Sequence, residues 1–303
     1  MSSKKESPWD QQLHEAAIKG DLQQLRAVFE AGRVHVDCCD KEGTTPLILA
    51  SANNRVECVK ELLKQGADPN RQRTTGTYAL FFAAQGGYLD TIRTLIENGS
   101  HVDLPSQDGG TPLFVACQCN KLNVVQELIE RGADLHRIMK DGATPLFISA
   151  QNGHYNLLKY LISKGANVNH PRHDKATPLW IAAQLGHADI IQELLSAGAE
   201  VDIARQDGAT PLFKASHKGH IECVTELVRN GASLGLLENG ESALHAAALF
   251  GHLKVVKELV SEDADVNLKN KEGVKADELA REAGYDIIAE FLAKHQASLH
   301  TTV

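Results

Sequence analysis

Hydrophobic residues recur along this chain with a period of 33 residues. The clearest marker is a leucine found at Leu47, Leu80, Leu113, Leu146, Leu179 and Leu212, each 33 residues after the last, and at Leu244 after 32. A period of this length is typical of repeat proteins, in which one unit cannot bury its apolar side alone and packs on its neighbours. The pattern therefore predicts a stack of similar units.

Within one unit, residues 140–172, the apolar spacing predicts two helices. Thr144 is suited to cap the first helix, and Pro145 fits its first position, where a missing N–H costs nothing. Leu146 and Ala150 then lie on one helical face, and the second helix runs through Leu157, Leu158, Leu161 and Ile162 with the same spacing.

Glycine, or asparagine in its place, marks the expected end of each helix, because both tolerate a left-handed backbone. The expected ends of the first helices are Gly20, Asn54, Gly87, Asn120, Gly153, Gly186, Gly219, Gly251 and Gly284. Those of the second helices are Gly32, Gly66, Gly99, Gly132, Gly165, Gly198 and Gly231. Lys175 stands where other units have a turn glycine, which predicts a strained or differently shaped turn.

The recurring Gly-x-Thr-Pro-Leu, Gly-His and Gly-Ala-Asp/Asn-Val-Asn motifs resemble those of the ankyrin-repeat family over about residues 8 to 297. The resemblance implies an all-α solenoid of about nine helix-turn-helix units with short β-turn fingers. It also implies a surface that binds proteins.

The repeat divides the chain into a short N-terminal tail (1–7), a single array (8–297) and a C-terminal tail (298–303). The expected units are 8–40, 41–73, 74–106, 107–139, 140–172, 173–205, 206–237, 238–270 and 271–297. Ser7-Pro8-Trp9-Asp10 predicts a capping box at the start, and Asp277 replaces the core leucine of the last unit.

Composition narrows the class of partner. The net charge of −8 and the pI near 6.0 argue against nucleic acid and anionic membranes, both of which attract basic proteins. No apolar run approaches the roughly 18 residues of a membrane span, and residues 1–7 show no secretory signal. We therefore expect a cytoplasmic or nuclear monomer.

One ladder of polar residues is the main binding candidate: Gln85, Gln118, Gln151, Gln184 and then His217. Each position lies about 140° around the first helix from the repeat leucine, at roughly 100° per residue. The family resemblance places it on the concave face, where amides would contact an extended partner. The alternative is that the amides bond to one another or merely reflect repeat duplication.

Two other ladders have competing interpretations. The first is acidic and lies in the expected fingers: Asp108, Asp141, Asp174 and Asp207, preceded by Glu42. These residues either form an acidic rim that attracts basic ligands or are ordinary turn residues. Ile48, Phe81, Phe114, Phe147, Trp180, Phe213 and His245 follow the repeat leucines. These residues either pack between units or form a partly exposed strip that anchors a peptide.

Two short features suggest regulation. Three asparagines each stand eight residues after a leucine: Asn70, Asn169 and Asn267. They resemble the ankyrin sites modified by the asparaginyl hydroxylase that acts on hypoxia-inducible factor. An asparagine at this position is also a common turn residue. Thr301 and Val303 resemble a PDZ-domain ligand, although so short a match also arises by chance.

We find no catalytic motif, and we expect no enzyme activity, no cofactor and no metal. The cysteines Cys58, Cys117 and Cys223 fit buried core positions, while Cys38-Cys39 and Cys117-x-Cys119 lack the second ligand pair that zinc needs. The leading hypothesis is a scaffold or adaptor that binds a protein of unknown identity. The alternative is a regulatory inhibitor that masks an enzyme or a transcription factor.

Overall fold

A computed structural model describes residues 7–300 of the chain, with side chains to residue 297. Within this range the chain forms eighteen α-helices in nine consecutive pairs and no β-strand. A single antiparallel bridge joins Lys269 to Lys275. The prediction of an all-α fold built from helix pairs is confirmed.

The helices are numbered in chain order, and each pair has a first and a second helix. The first helices are α1 (Pro8–Lys19), α3 (Pro46–Ala52), α5 (Ala79–Gly86), α7 (Pro112–Gln118), α9 (Pro145–Gln151), α11 (Pro178–Leu185), α13 (Pro211–Lys218), α15 (Ala243–Leu249) and α17 (Ala276–Glu282). The second helices are α2 (Leu22–Glu30), α4 (Val56–Lys64), α6 (Leu89–Glu97), α8 (Leu122–Glu130), α10 (Tyr155–Ser163), α12 (Ala188–Ser196), α14 (Ile221–Arg229), α16 (Leu253–Ser261) and α18 (Asp286–His300).

Most of the first helices begin at a side-chain cap, whereas α5 begins at Tyr78 without one. At α7, the Thr111 hydroxyl accepts a hydrogen bond from the N–H of Phe114, and Pro112 occupies the first helical position. The same arrangement recurs at Thr45, Thr177 and Thr210. At α1, the predicted capping box is present, with reciprocal hydrogen bonds between Ser7 and Asp10. These caps satisfy N–H groups that a helix start leaves without a partner.

Left-handed residues follow the helices. All nine positions expected to end the first helices have positive φ, including Asn54 at 54° and Asn120 at 55°. The seven glycines expected after the second helices also have positive φ. Sequence inspection missed Asp263, which has the same left-handed backbone (φ 66°) after α16.

The chain divides into two compact units between Pro145 and Leu146. In the first unit, α1, α3, α5 and α7 pack in succession as one layer, and α2, α4, α6 and α8 pack as a second layer. The repeat leucines Leu47, Leu80 and Leu113 are at most 1% exposed in this core. Their burial removes apolar surface from water and so stabilises the helix pairs that contain them.

The second unit is built in the same way. Helices α11, α13, α15 and α17 form one layer, and α10, α12, α14, α16 and α18 form the other. Leu146, Leu179, Leu212 and Leu244 are buried. In the last helix pair, the carboxylate of Asp277 is buried and accepts a hydrogen bond of 3.0 Å from Nε2 of Gln296. A polar residue thus stands in a core position with its own partner.

Short turns, the fingers, connect successive helix pairs. Backbone hydrogen bonds join neighbouring fingers, from the N–H of Gln107 to the carbonyl of Thr75 and from the N–H of Gln206 to that of Asp174. Lys175 has a φ of 66°, so the strained backbone predicted for this finger is present.

Candidate functional site

The glutamines of the ladder lie at the C-terminal ends of the first helices. In the first unit, Gln85 and Gln118 are exposed on the adjacent helices α5 and α7. In the second unit, Gln151 and Gln184 are half-buried on α9 and α11. The amides of Gln85, Gln151 and Gln184 form no hydrogen bond with any other residue that the structure describes. These three amides are therefore available to an external ligand.

Histidines of one repeat contact the backbone carbonyls of the ladder residues in the preceding repeat. Nε2 of His187 lies 3.1 Å from the carbonyl oxygen of Gln151, and Nε2 of His220 lies 3.1 Å from that of Gln184. His252 makes the same contact with the carbonyl of His217. In the first unit, Nε of Arg55 donates to the carbonyl of Ile18 over 2.9 Å. These side chains join neighbouring first helices through the backbone and do not occupy the ladder amides.

His217 differs from the glutamines that precede it. Its ring meets that of Phe250 edge to face, with centroids 4.1 Å apart, and its buried Nδ1 has no hydrogen-bond partner among the described residues. Burial, followed by the charges of Lys214 and Lys218, lowers the pKa of His217 below its ordinary value. The neutral ring is therefore the favoured form near pH 7.

Two of the finger aspartates accept hydrogen bonds within their own turns. Oδ1 of Asp141 accepts from the N–H of Ala143, and Oδ1 of Asp207 accepts from that of Ala209. Asp108, Asp141 and Asp207 are exposed, whereas Asp174 is half-buried. Both interpretations of the first three residues thus stay open, since each caps a turn or faces solvent.

Asp174 is engaged by two arginines. Nε and Nη2 of Arg172 donate to its two carboxylate oxygens at 2.9 and 2.6 Å, and Nε of Arg205 donates at 2.9 Å. The hydrogen bonds from Arg172, opposed in part by desolvation, hold the pKa of Asp174 far below its usual range. This carboxylate is neutralised within the fold, so it adds little to an acidic rim.

Three rings of the aromatic ladder are buried. Phe114, Phe147 and Trp180 are at most 7% exposed, while Phe81 and Phe213 are half-buried. Nε1 of Trp180 donates to the carbonyl of Ala209 over 2.8 Å. The packing interpretation therefore holds for the three buried rings, because a buried indole with a satisfied N–H cannot anchor a partner.

Cations cover the buried rings of the second unit. The guanidinium of Arg172 lies 5.2 Å from the centroid of Phe147, and that of Arg205 lies 5.1 Å from the centroid of Trp180. Nζ of Lys214 lies 5.6 Å from the same indole. Sequence inspection missed Lys214 as a surface feature. Aligning the first helices would have revealed it, because Ile148 and Ile181 occupy the equivalent positions.

Two of the three asparagines proposed for modification join neighbouring turns. Asn70 donates from Nδ2 to the carbonyl of Gly99, and its Oδ1 accepts from the N–H of His101. Asn169 makes the same pair of contacts with Gly198 and Glu200. Asn267 differs, since its Oδ1 accepts only a long hydrogen bond of 3.4 Å from Lys275 and its amide donates to no described residue.

Thr301 and Val303, the residues of the PDZ-like tail, lie outside the described residues. Within the described part of the chain, no group of His, Cys, Asp or Glu side chains is arranged to hold a metal ion. No helix there is long and apolar enough to cross a membrane. Cys58, Cys117 and Cys223 are buried, as their core positions predict.

A comparison with protein-family models agrees with the succession of helix pairs. A family model described as ankyrin repeats (3 copies) matches residues 10–73, 65–139, 128–205, 179–270 and 212–302. These overlapping matches extend over nearly the whole chain, including every helix pair.

Individual relatives match shorter segments. Ankyrin repeat domain-containing protein 29 is 51% identical in Danio rerio and 47% identical in Homo sapiens, each over 73 residues that cover 24% of this chain and 24% of the relative. DNA-binding protein RFXANK from Homo sapiens is 43% identical over 58 residues, which cover 19% of this chain and 22% of that protein. The aligned segments thus span about a quarter of the length of these relatives.

Proposed function

Because this chain belongs to the ankyrin-repeat family, whose repeats mediate protein–protein binding, we propose that it is a non-enzymatic scaffold or adaptor. Its first helices and fingers bind a segment of a partner protein. Repeat units packed in two layers offer an extended surface that needs little ordering on binding.

The observation that carries this proposal is the set of unpaired amides at equivalent positions. Gln85, Gln151 and Gln184 present donors and acceptors that no described residue satisfies, on helices whose backbones are held in register. Amides of this kind suit the backbone of an extended segment, which alternates N–H and C=O groups. Gln118, His217, Asp108, Asp141 and Asp207 complete the proposed contacts, with Asp174 acting through Arg172 and Arg205.

The test compares two variants with equal numbers of substitutions. The first carries alanine at Gln85, Gln118, Gln151 and Gln184. The control carries alanine at Gln23, Gln24, Gln126 and Gln192 on the second helices. Affinity purification with quantitative mass spectrometry should recover the partners with the intact chain and the control, and lose them with the first variant. Thermal unfolding of all three proteins would be measured in parallel.

Equal recovery of every partner by the first variant and the intact chain would disprove the role of the ladder. Loss of partners together with a lower unfolding temperature would assign the glutamines to stability instead.

We favour an adaptor over an inhibitor because each of the two compact units carries its own pair of ladder glutamines. A recovered partner would be mixed with the chain and a second partner. A ternary complex supports the adaptor, whereas a partner enzyme or transcription factor whose activity falls on binding supports regulatory inhibition.

Asparaginyl hydroxylation is a further proposal, for Asn70, Asn169 and Asn267. Hydroxylation of the first two requires opening of the hydrogen bonds that join neighbouring turns, so we expect Asn267 to be modified most readily. Mass spectrometry of the chain from normoxic and hypoxic cells tests this order. Three unmodified peptides in normoxic cells would refute it.

We also propose that Thr301 and Val303 bind a PDZ domain, by strand addition with the terminal carboxylate held by backbone N–H groups. A labelled peptide of the last eight residues should bind immobilised PDZ domains. The same peptide with Val303→Asp should not, and equal binding of both peptides would disprove a PDZ mode.

A further inference from the structure

Helix α13 is chemically unlike the other first helices of its unit. Its face carries Lys214, His217 and Lys218, which are three and four residues apart and therefore share one side of the helix. Helices α9, α11 and α15 contain neither Lys nor Arg, and the one arginine of α17, Arg281, lies 3.9 Å from the carboxylate of Asp277. The basic face is therefore specific to one repeat and is not a consequence of the repeat pattern.

Neither lysine forms an ion pair with a residue that the structure describes, although Nζ of Lys214 lies over the indole of Trp180. Lys214 is half-buried against the indole of Trp180, and this burial, together with the nearby charges of Lys218 and Arg205, lowers its pKa. Asp207 is the neighbouring carboxylate, and it already accepts from Arg205 at 3.4 Å. A carboxylate from outside would relieve the repulsion among these cations.

Exposed apolar side chains lie on both sides of the basic helix. Leu185 ends α11 and is 43% exposed, and Leu249 ends α15 and is 41% exposed. Phe250, the C-cap residue that follows α15, is 45% exposed. The contacts of His220 with Gln184 and of His252 with His217 hold the three helix ends together. Leu185, Lys218 and Phe250 occupy equivalent positions on adjacent helices. Large apolar groups that stay exposed beside cations are typical of binding surfaces.

We propose that this surface binds an acidic segment of a partner protein, in which Asp or Glu residues alternate with aliphatic or aromatic residues. The basic-apolar face comprises Leu185, Lys214, His217, Lys218, Leu249 and Phe250. The carboxylates pair with the two lysines, and the apolar side chains cover Leu185, Leu249 and Phe250. The inference rests on the proposed function and specifies the chemistry of its partner.

Charge complementarity favours this occupant. The chain as a whole has a net charge of −8, so a local face with two lysines that lack an ion pair among the described residues is opposite in sign to the net charge of the chain. Such a contrast orients an acidic segment during encounter and disfavours a basic one. Exposed charges are screened by salt, and the binding should therefore weaken as ionic strength rises.

The probe is a random linear-peptide library displayed on phage and selected against the full chain. The selected peptides should be enriched in Asp and Glu next to Leu, Ile, Phe or Trp. Measured as synthetic peptides by fluorescence anisotropy, they should bind about tenfold more weakly to a Lys214→Gln/Lys218→Gln variant. A Lys254→Gln/Lys257→Gln variant removes the same charge from α16 and should bind normally.

Two further variants separate charge from folding. Lys214→Arg/Lys218→Arg should retain binding, since both charges remain. Leu185→Asn introduces the residue that the preceding repeat has at this position, Asn152, and should weaken binding without affecting thermal unfolding.

Three results would contradict the acidic partner segment. Selected peptides that are neutral or basic, or that bind the Lys214→Gln/Lys218→Gln variant normally, would overturn this inference and leave the proposed function intact. Failure to select any peptide would count against both. An oligomer of the intact chain that the same variant dissociates, seen by light scattering, would make a second copy the occupant and overturn the acidic partner segment.

Discussion

At the scale of single residues, the Asp174 carboxylate is coupled to two arginines. It accepts hydrogen bonds from Arg172 and Arg205, and these guanidiniums also cover the rings of Phe147 and Trp180. One half-buried anion thus orients two cations over two buried aromatic side chains. Charge-assisted hydrogen bonds of this kind are stronger than neutral ones.

We expect Asp174→Asn to lower the free energy of unfolding by about 2 kcal/mol near neutral pH, because it removes the charge from these hydrogen bonds. The pKa of Asp174 is lowered by folding, so its contribution is present above the ordinary value of 3.8 and is lost as the pH falls below it. Urea unfolding at several pH values would measure the difference. A difference that stays constant down to pH 3 would contradict this account.

His217 should make stability depend on pH in the same direction for a different reason. Its pKa in the folded chain is lowered from 6.5 by burial and by Lys214, Lys218 and His252, so the unfolded chain binds more protons. Stability should therefore fall as the pH drops through and below 6.5. His217→Gln, which copies Gln184 of the preceding repeat, should reduce this loss in thermal unfolding. An unchanged pH profile would show that another group is responsible.

At the scale of elements, the fingers depend on a left-handed residue at a fixed position. Gly142, Gly208 and Gly240 hold it with φ between 80° and 89°, whereas Lys175 holds it at 66°. A side chain in this region costs about 1–3 kcal/mol, which the surrounding hydrogen bonds must offset. The finger of Lys175 is kept in shape by the hydrogen bonds around Asp174.

Lys175→Gly should therefore raise the free energy of unfolding by about 0.5–1 kcal/mol, since the removed strain exceeds the added freedom of the unfolded chain. Gly208→Ala in the next finger is the matched control and should lower it by about 1 kcal/mol. Chemical denaturation of both variants provides the measurement. A destabilised Lys175→Gly protein would mean that the lysine side chain contributes more than its backbone costs.

At the scale of the whole molecule, each compact unit is a succession of helix pairs that contact only their neighbours. The last pair, α17 and α18, packs on α15 and α16, and Val274 before it accepts a hydrogen bond from His245. The last pair therefore covers an apolar side of the pair before it.

Deleting residues 271–303 should expose that apolar side, lower the unfolding temperature and increase binding of a hydrophobic dye. Leu292→Ala is a milder control that keeps the helix pair but removes a fully buried side chain, and it should cost about 2–5 kcal/mol. Calorimetry and dye fluorescence would measure both effects. A truncated chain with unchanged unfolding would show that the last pair is not required by its neighbours.

Some site residues were predictable and others were not. The glutamine ladder followed from the repeat period, because equivalent positions on similar helices have similar surroundings. The repeat period did not predict that Gln151 and Gln184 are half-buried or that Asp174 pairs with Arg205. Both features depend on which side chains meet between neighbouring repeats. The basic face of α13 does not follow from the repeat period, because Lys214 and Lys218 replace the apolar residues Ile181 and Leu185 of the preceding repeat.

The sequence by itself determined the helix pairs, their caps and their ends. These features depend on local backbone preferences and on an apolar period, both of which are properties of a single unit. Tertiary structure decided which members of each ladder remain available. Trp180 is part of the core, because its indole N–H donates to the carbonyl of Ala209. Lys214 lies against the same indole and has no ion-pair partner in the described range, so its charge is not compensated there.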